Sequence, residues 1–181
     1  MEHNKQMLNL ILNRRSCRNY RPEPLDRPAL MAIVEAGRYA PSGMNRQNNH
    51  FYIITERELL ERMTRMVSAS MESYASRDFR YGAPVLIVVT NRKDNGVALQ
   101  DAACAMENMM LAASSMGVGS CWINAPAALS DDPDMRALLA PAGLGENERI
   151  CASLALGYPE GELPSGRMER TGNQITWVTG K

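Results

Sequence analysis

The run APVLIVVT at residues 83–90 constrains the fold more than any other part of the chain, because every position from 85 to 89 is apolar. A strand with one face in water alternates apolar and polar residues, whereas a strand covered on both faces does not. The run is also far too short to cross a bilayer. We therefore predict a buried β-strand at residues 84–90, with helices above and below it.

Periodicity, caps and turn residues place the other elements around this strand. The predicted helices are residues 5–14, a helix capped by Asp26, an amphipathic helix from residue 56, residues 97–117, and a short helix capped by Asp131 or Asp132. The further predicted strands are residues 50–55, 118–125 and 150–159. The helix at 97–117 is apolar almost all round, so we expect it inside the protein or in a subunit interface.

The last part of the chain, residues 160–181, is rich in Gly and Pro but contains the apolar, β-branched stretch ITWV at 175–178. Leaving such a stretch in water is costly. We expect this C-terminal extension to dock as an additional strand, with a second subunit as one candidate acceptor.

The charge balance excludes broad classes of partner. The 181 residues carry 20 Lys and Arg against 20 Asp and Glu, with a pI near 6.7. No overall field would hold nucleic acid or an anionic membrane. The N-terminus lacks the charged, apolar and small-residue regions of a signal peptide, and no repeat or linker divides the chain. We expect one domain, residues 1–181, in a soluble cytoplasmic protein.

Cysteine and histidine are too sparse for several kinds of site. Cys17, Cys104, Cys121 and Cys151 form no C-x-x-C pair, which suits reduced thiols. The chain has two histidines, too few for a His-based metal cluster or a Ser-His-Asp triad. We expect no metal, and if the protein is an enzyme, a bound cofactor should supply the reactive group.

The stretch NRRSCRNYR at residues 13–21 contains four arginines and follows an amphipathic segment. Guanidinium groups at a helix end are favoured by its dipole and are suited to gripping a phosphate. A solvated basic edge is the alternative for such a cluster.

Four patterns occur in order along the chain: RRSCRNY at 14–20, APSGMNRQNNHFYII at 40–54, MGVGSCWINAP at 116–126, and LGYPEGELPSGR at 156–167. Together they resemble the nitroreductase family over nearly the whole chain. The resemblance implies an α+β fold with a central, mostly antiparallel sheet flanked by helices. It also implies an intertwined homodimer with the C-terminal strand exchanged.

The same resemblance implies a site for FMN. Arg14, Arg15 and Ser16 would hold the phosphate end, and Arg18 would approach the pyrimidine side of the ring. Three further groups are implied to bind FMN. The loop residues Pro41, Ser42, Gly43, Asn45 and Gln47 would clamp mainly the flavin of the other subunit. Asn124, Ala125, Pro126 and Ala127 would lie near N5, and Gly166 and Arg167 would lie at the phosphate.

For activity, the resemblance implies an FMN oxidoreductase with no catalytic side chain beyond the flavin. Hydride would pass from NADH or NADPH to flavin N5, and electrons then to a small-molecule acceptor such as a nitroaromatic or quinone, with ping-pong kinetics. Two alternatives from other classes stay open: a non-catalytic flavin or nucleotide-binding module, and a thiol-based redox or interaction protein. Residues 66–81 are either a mobile helical rim of the acceptor pocket or a surface helix without a role.

Overall fold

The computed structural model describes residues 2–163 and 166–179. This part of the chain contains six helices and four strands, with single 3-10 turns at Gly43–Asn45, Glu72–Tyr74 and Ala140–Ala142. The helices are α1 (Glu2–Asn13), α2 (Arg27–Arg38), α3 (Arg57–Ser70), α4 (Ala98–Ser115), α5 (Ala125–Ala128) and α6 (Pro133–Leu139). The strands are β1 (His50–Ile54), β2 (Val85–Arg92), β3 (Gly119–Ile123) and β4 (Glu148–Gly157). Their order along the chain is α1-α2-β1-α3-β2-α4-β3-α5-α6-β4.

The four strands form one sheet in the order β1-β2-β4-β3, and each neighbouring pair is antiparallel. β2 and β4 occupy the centre, where both faces are covered. The predicted antiparallel sheet flanked by helices is therefore confirmed.

Alternate residues of β2 enter two different hydrophobic cores. Leu86 and Val88 point to the face covered by α3 and α6, whereas Val85, Ile87 and Val89 point to the face covered by α2 and α4. Both faces need apolar side chains, which is why the sequence of β2 does not alternate with polar residues.

Two of the predicted helix caps are confirmed, Asp26 and Asp132. Asp26 accepts a hydrogen bond from the backbone N–H of Ala29 at 2.7 Å and begins α2. Asp132 does the same for α6, accepting from the N–H groups of Asp134 and Met135. Asp131, the other predicted cap, instead pairs with Lys93 at 3.1 Å.

α4 buries one face against α2 and the sheet and leaves another exposed. Met106 and Met109 are fully buried, and a Cβ added at Gly37 would lie 2.8 Å from Cγ of Met109, so α2 and α4 approach closely. Cys104 of the same helix is exposed, and Leu99 in its first turn is 49% exposed. Within one chain, the helix is therefore buried only in part.

Residues 66–81 contain the end of α3, a 3-10 turn and a tight loop. Phe79 is fully buried in the core beneath α3, and the Arg80 guanidinium pairs with Asp78 at 3.1 Å and donates to the Ala83 carbonyl at 2.7 Å. Phe79 and Arg80 are therefore structural in this chain rather than rim residues. Met66 and Tyr74 are half-buried beside that core.

The described part of the C-terminal extension forms no strand within this chain. Ile175, Trp177 and Val178 are 86%, 86% and 93% exposed. Its exchange onto a second subunit stays a prediction, as does the assignment of residues 1–181 to one domain. Among the described residues, no helix combines the length and the apolar character needed to cross a membrane.

Replacing Phe79 with alanine tests the structural role of residues 78–80. A fully buried aromatic ring leaves a cavity, so we expect Phe79→Ala to lower the free energy of unfolding by about 3–5 kcal/mol. Urea denaturation at a fixed protein concentration measures this change. Met44→Ala is the control, because Met44 is 85% exposed and its loss should change the value by less than about 0.5 kcal/mol. Equal effects of the two substitutions would contradict the assignment.

Candidate functional site

The arginine cluster at residues 14–18 lies beside the beginning of β3. Ser16 forms a parallel bridge with Ser120, and the Cys17 N–H donates to the Ser120 carbonyl at 2.8 Å. The contact is tight, because a Cβ added at Gly119 would lie 2.8 Å from both Cβ and Sγ of Cys17. Backbone pairing, not surface charge, thus fixes where these arginines stand.

The chain returns to the same place after β4. The Arg21 N–H donates to the Tyr158 carbonyl at 2.9 Å, and the Glu160 N–H donates to the Asn19 carbonyl at 3.1 Å. Farther along, the Arg15 guanidinium donates to the carbonyl of Gly166. The structure therefore brings the segment of Gly166 and Arg167 to the N-terminal cluster, while Pro164 and Ser165 of that motif lie outside the described residues.

Arg14 carries an unpaired group in this cluster. Its Nη1 is buried and has no hydrogen-bond partner among the described residues, and the nearest carboxylate contact is Nε to Glu107 at 3.8 Å. A buried guanidinium nitrogen without a partner costs free energy, and an anion at this position would remove that cost.

Three of the predicted residues converge on the thiol of Cys121. Burial raises the pKa of this thiol, while Arg18, Ser16 and Arg14 act in the opposite direction without overcoming it. Burial also raises the pKa of Cys17. Both thiols are therefore protonated at neutral pH, which favours the structural interpretation of Cys121 over a reactive thiol.

Tyr20 holds the turn that follows the cluster. Its hydroxyl donates to the Cys17 carbonyl at 2.8 Å, and burial raises its pKa, so the phenol stays neutral. Arg18 extends outward, with its guanidinium carbon 5.9 Å from the centre of the Tyr81 ring.

The second predicted group, residues 41–47, is an exposed loop with an unusual backbone. Met44, Asn45 and Gln47 have φ of 54°, 53° and 54°, the left-handed region, which costs of order 1–3 kcal/mol per non-glycine residue. Pro41 is exposed and Ser42 and Gly43 are half-buried. The Ser42 hydroxyl accepts from the Gln47 N–H at 2.9 Å, and the Gln47 amide donates to Asn45 at 3.2 Å.

This loop and the arginine cluster lie at opposite ends of the sheet. The loop leads into His50, which pairs with Thr90 of β2. Ser120 beside the cluster pairs with Leu156, which pairs with Val85 of β2. Val85 and Thr90 are five residues apart in β2, so the two ends are separated by about 17 Å along the strand direction. Within one chain the structure does not bring the loop and the cluster together.

The third group follows β3. Asn124 is exposed, and its side-chain oxygen accepts from the indole N–H of Trp122 at 2.6 Å. Ala125 and Pro126 are buried and Ala127 is half-buried at the start of α5. Their side chains face the core, so only backbone groups here are suited to meeting a ligand.

Sequence reasoning missed a buried polar network beneath loop 41–47. Asp101 of α4 accepts from the Gly43 N–H at 2.8 Å and from the Asn95 amide at 3.0 Å. Asn49 and Asn91 complete the network. The available signal was an acid inside a mostly apolar helix, and nothing in the sequence connects it to a loop residue 58 positions away.

Comparison with known proteins identifies the family. The model of the nitroreductase family matches residues 11–158. A crystal structure of a nitroreductase with bound FMN from Bacteroides fragilis is 35% identical, covers 96% of this chain and 99% of its own, and superposes with a TM-score of 0.88. An FMN-bound nitroreductase from Desulfitobacterium hafniense is 28% identical, with coverages of 96% and 98% and a TM-score of 0.85.

A curated relative from Escherichia coli K12, provisionally named NAD(P)H nitroreductase YdjA, is 30% identical over 168 residues, 84% of this chain and 88% of its own. The chain therefore belongs to the nitroreductase family, a family of oxidoreductases, and the nitroreductase-like fold is confirmed.

Gly119→Ala tests the close packing between β3 and the arginine cluster. The new methyl group would meet Cys17 at 2.8 Å and the Gly157 carbonyl at 3.2 Å, so residues 16–18 must move. We expect a loss of about 1–3 kcal/mol in the free energy of unfolding, measured by chemical denaturation.

Gly172→Ala is the matched control, because an added Cβ there has no atom within 4 Å. A Gly119→Ala protein as stable as the control would show that the cluster is not held by this contact.

Proposed function

We propose that this protein is an FMN-dependent oxidoreductase that takes electrons from NADH or NADPH and passes them to a small organic acceptor. The observation that carries the proposal is the buried Nη1 of Arg14, which has no hydrogen-bond partner among the described residues and lies in a cluster of arginines. Membership in the nitroreductase family and the FMN-bound relatives from Bacteroides fragilis and Desulfitobacterium hafniense support the choice of ligand.

The phosphate end of FMN fits the cluster chemically. A phosphate offers several acceptor oxygens and two negative charges, and forked guanidinium donors match them well. In this proposal Arg14 and Ser16 bind the phosphate and ribityl end, with Arg15 and the Gly166–Arg167 segment beside them. The contact of Arg15 with the Gly166 carbonyl supports a role for the C-terminal extension in closing this end.

Arg18 has a separate role in the proposal. It is exposed and projects from the same short segment, beside the ring of Tyr81. A fixed cation next to the pyrimidine side of a flavin favours the reduced, anionic form. We therefore assign Arg18 to tuning the cofactor rather than to holding its phosphate.

The site needs a second copy of the chain. Loop 41–47 stands about 17 Å along the sheet from the cluster of its own chain, so we propose that it contacts the FMN of a partner subunit. Exposed apolar groups support a homodimer: Met7 and Leu8 on α1 are 67% and 56% exposed, and Trp177 is 86% exposed. Docking of the ITWV stretch on the partner subunit, as an exchanged strand, would remove its apolar side chains from water.

Bound FMN would supply hydride acceptance from the nicotinamide and electron return to the acceptor, in two half-reactions at one site with ping-pong kinetics. The chain's own residues bind, orient and tune the cofactor, and Asn124 to Ala127 offer backbone groups beside it. The described residues contain no group of three or more His, Cys, Asp or Glu side chains placed to hold a metal ion.

For the acceptor we propose a nitroaromatic or a quinone. Met66, Met71 and Tyr74, half-buried beside the α3 core, are the candidates within residues 66–81 for its pocket rim. The cytoplasmic location stays a prediction from the sequence.

The phosphate clamp is tested by the double variant Arg14→Ala and Arg167→Ala. Each charge-assisted hydrogen bond contributes about 1.5–3 kcal/mol, so losing two should weaken FMN binding about a hundredfold or more. Titration of the apoprotein with FMN, followed by flavin fluorescence, measures the dissociation constant.

The control double variant replaces Arg57 and Arg62 on the exposed side of α3 and should bind FMN normally. Light scattering should report two chains for wild type and both variants. Unchanged FMN affinity in the Arg14 and Arg167 variant would argue against the clamp.

An anaerobic spectrum of the purified protein tests the enzyme assignment. We expect NADH or NADPH to bleach the visible flavin absorbance and a quinone or nitroaromatic to restore it, because both half-reactions use the same site. Steady-state rates should give parallel double-reciprocal lines.

Bound FMN that neither donor bleaches would favour a non-catalytic flavin-binding module. A protein that stays colourless after FMN is added would favour the thiol-based alternative.

A further inference from the structure

Loop 41–47 rests on a closed ring of polar groups, which we call the Asp101 ring: the buried Asn91, Asn95 and Asp101 and the half-buried Asn49. Asn49 donates to the Asp101 carbonyl at 3.0 Å, and Asn91 donates to Asn49 at 2.8 Å. Asn95 donates both to Asn91 and to the Asp101 carboxylate, each at 3.0 Å. The ring joins α4, the end of β2, the turn after β2 and the residue before β1.

Asp101 is the one acid of this ring, and it is only 4% exposed. Among the described residues, no Lys, Arg or His lies within 4 Å of its carboxylate, so neutral hydrogen-bond donors alone compensate the charge. Burying a carboxylate without a cationic partner is unfavourable, and hydrogen bonds to its oxygens offset only part of the cost. One of those bonds leaves the ring: Oδ1 accepts from the Gly43 N–H at 2.8 Å.

The loop above the ring needs an anchor. Three of the four non-glycine residues with positive φ in the described chain are Met44, Asn45 and Gln47. Their side chains are exposed and add little packing. The loop touches α4 closely at Gly43, where an added Cβ would lie 2.7 Å from Cγ2 of Val97. The Gly43 to Asp101 bond therefore ties the strained loop to the rigid helix.

A strained, exposed backbone persists only where its surroundings determine it strongly, and such segments concentrate at binding sites. The loop borders an open groove of about 430 Å³ between α2 and β1, with Ser42 and Gln47 among the lining residues. A ligand that meets a preformed loop avoids the entropic cost of ordering it.

We propose that Asp101 is a positioning residue that holds loop 41–47 in the conformation that binds FMN. Asp101 touches no ligand itself and acts through the Gly43 N–H and the Asp101 ring. The identity of the ligand rests on the proposed function, whereas the hold of Asp101 on the loop rests on the hydrogen bonds alone.

Asp101→Asn is the sharpest test, because it keeps the shape of the side chain. Asp101 accepts from two donors, and an amide has only one oxygen, so its NH₂ must face either the Gly43 N–H or the Asn95 amide. We expect the dissociation constant for FMN to rise about tenfold or more.

Ser130→Ala is the matched control. Ser130 is 7% exposed and its hydroxyl accepts from the Ile150 N–H at 2.8 Å, away from the loop. This variant should lose thermal stability and keep FMN affinity within about twofold of wild type, since its loss is purely structural. If Asp101→Asn does not fold, Asn49→Ala, at the half-buried edge of the ring, should weaken FMN binding in the same direction but less.

Hydrogen exchange of the apoprotein supplies a readout that needs no FMN. In Asp101→Asn we expect faster exchange in peptides covering residues 42–48 and unchanged exchange in β2 and β4. Loop exchange equal to wild type would overturn the hold of Asp101 on the loop.

The outcomes separate the two proposals. Wild-type protein that binds FMN, together with an Asp101→Asn variant that binds it equally well, overturns the positioning role and leaves the proposed function standing. Wild-type protein that binds no FMN overturns the proposed function and the positioning for FMN together.

Discussion

The antiparallel pairing of β2 with β4 is the constraint on which the rest of the structure depends. Both strands are covered on both faces, so helices must pack on either side of the sheet. β1 and β3 can then join only at the outer edges. Because β1 follows loop 41–47 and β3 begins beside the arginine cluster, this order fixes the two groups at opposite ends of the sheet. A site that uses both must be assembled from two chains.

Much of this arrangement is predictable from sequence, because the signals are local. The unbroken apolar run of β2 predicts its double burial, and Asp26 and Asp132 mark helix starts through bonds spanning two or three residues. The arginine cluster and the Gly166–Arg167 segment were predicted as one site from the family resemblance, and the structure brings these two segments together. How the side chains meet a ligand stays a prediction.

The parts that sequence could not supply depend on contacts between distant residues. In the Asp101 ring, Asn49 bonds to residues 42 and 52 positions away, and the Gly43 N–H that Asp101 binds is 58 positions from it. Single Asn residues carry no periodic signal that could connect such positions. Phe79 lies within residues 66–81, where the sequence allows a pocket rim, but its ring is fully buried in the core, next in sequence to the ion pair between Asp78 and Arg80. The ITWV stretch has no cover in a single chain, and its strand character needs a partner strand that the sequence cannot identify.

The two ends of the candidate site use different physical means to prepare for a ligand. At the cluster, the buried Arg14 Nη1 has no hydrogen-bond partner in the part of the chain that the structure describes, so an anion bound there would gain a bond without displacing one of those described. At the loop, strain is held in place by a buried carboxylate, so the ordering cost is met during folding. The buried Arg14 Nη1, which has no hydrogen-bond partner among the described residues, and the strain of the loop both lower the stability of the protein alone. A chain of zero net charge that keeps two such costs, at the two places predicted to meet one cofactor, is organised for binding more than for stability.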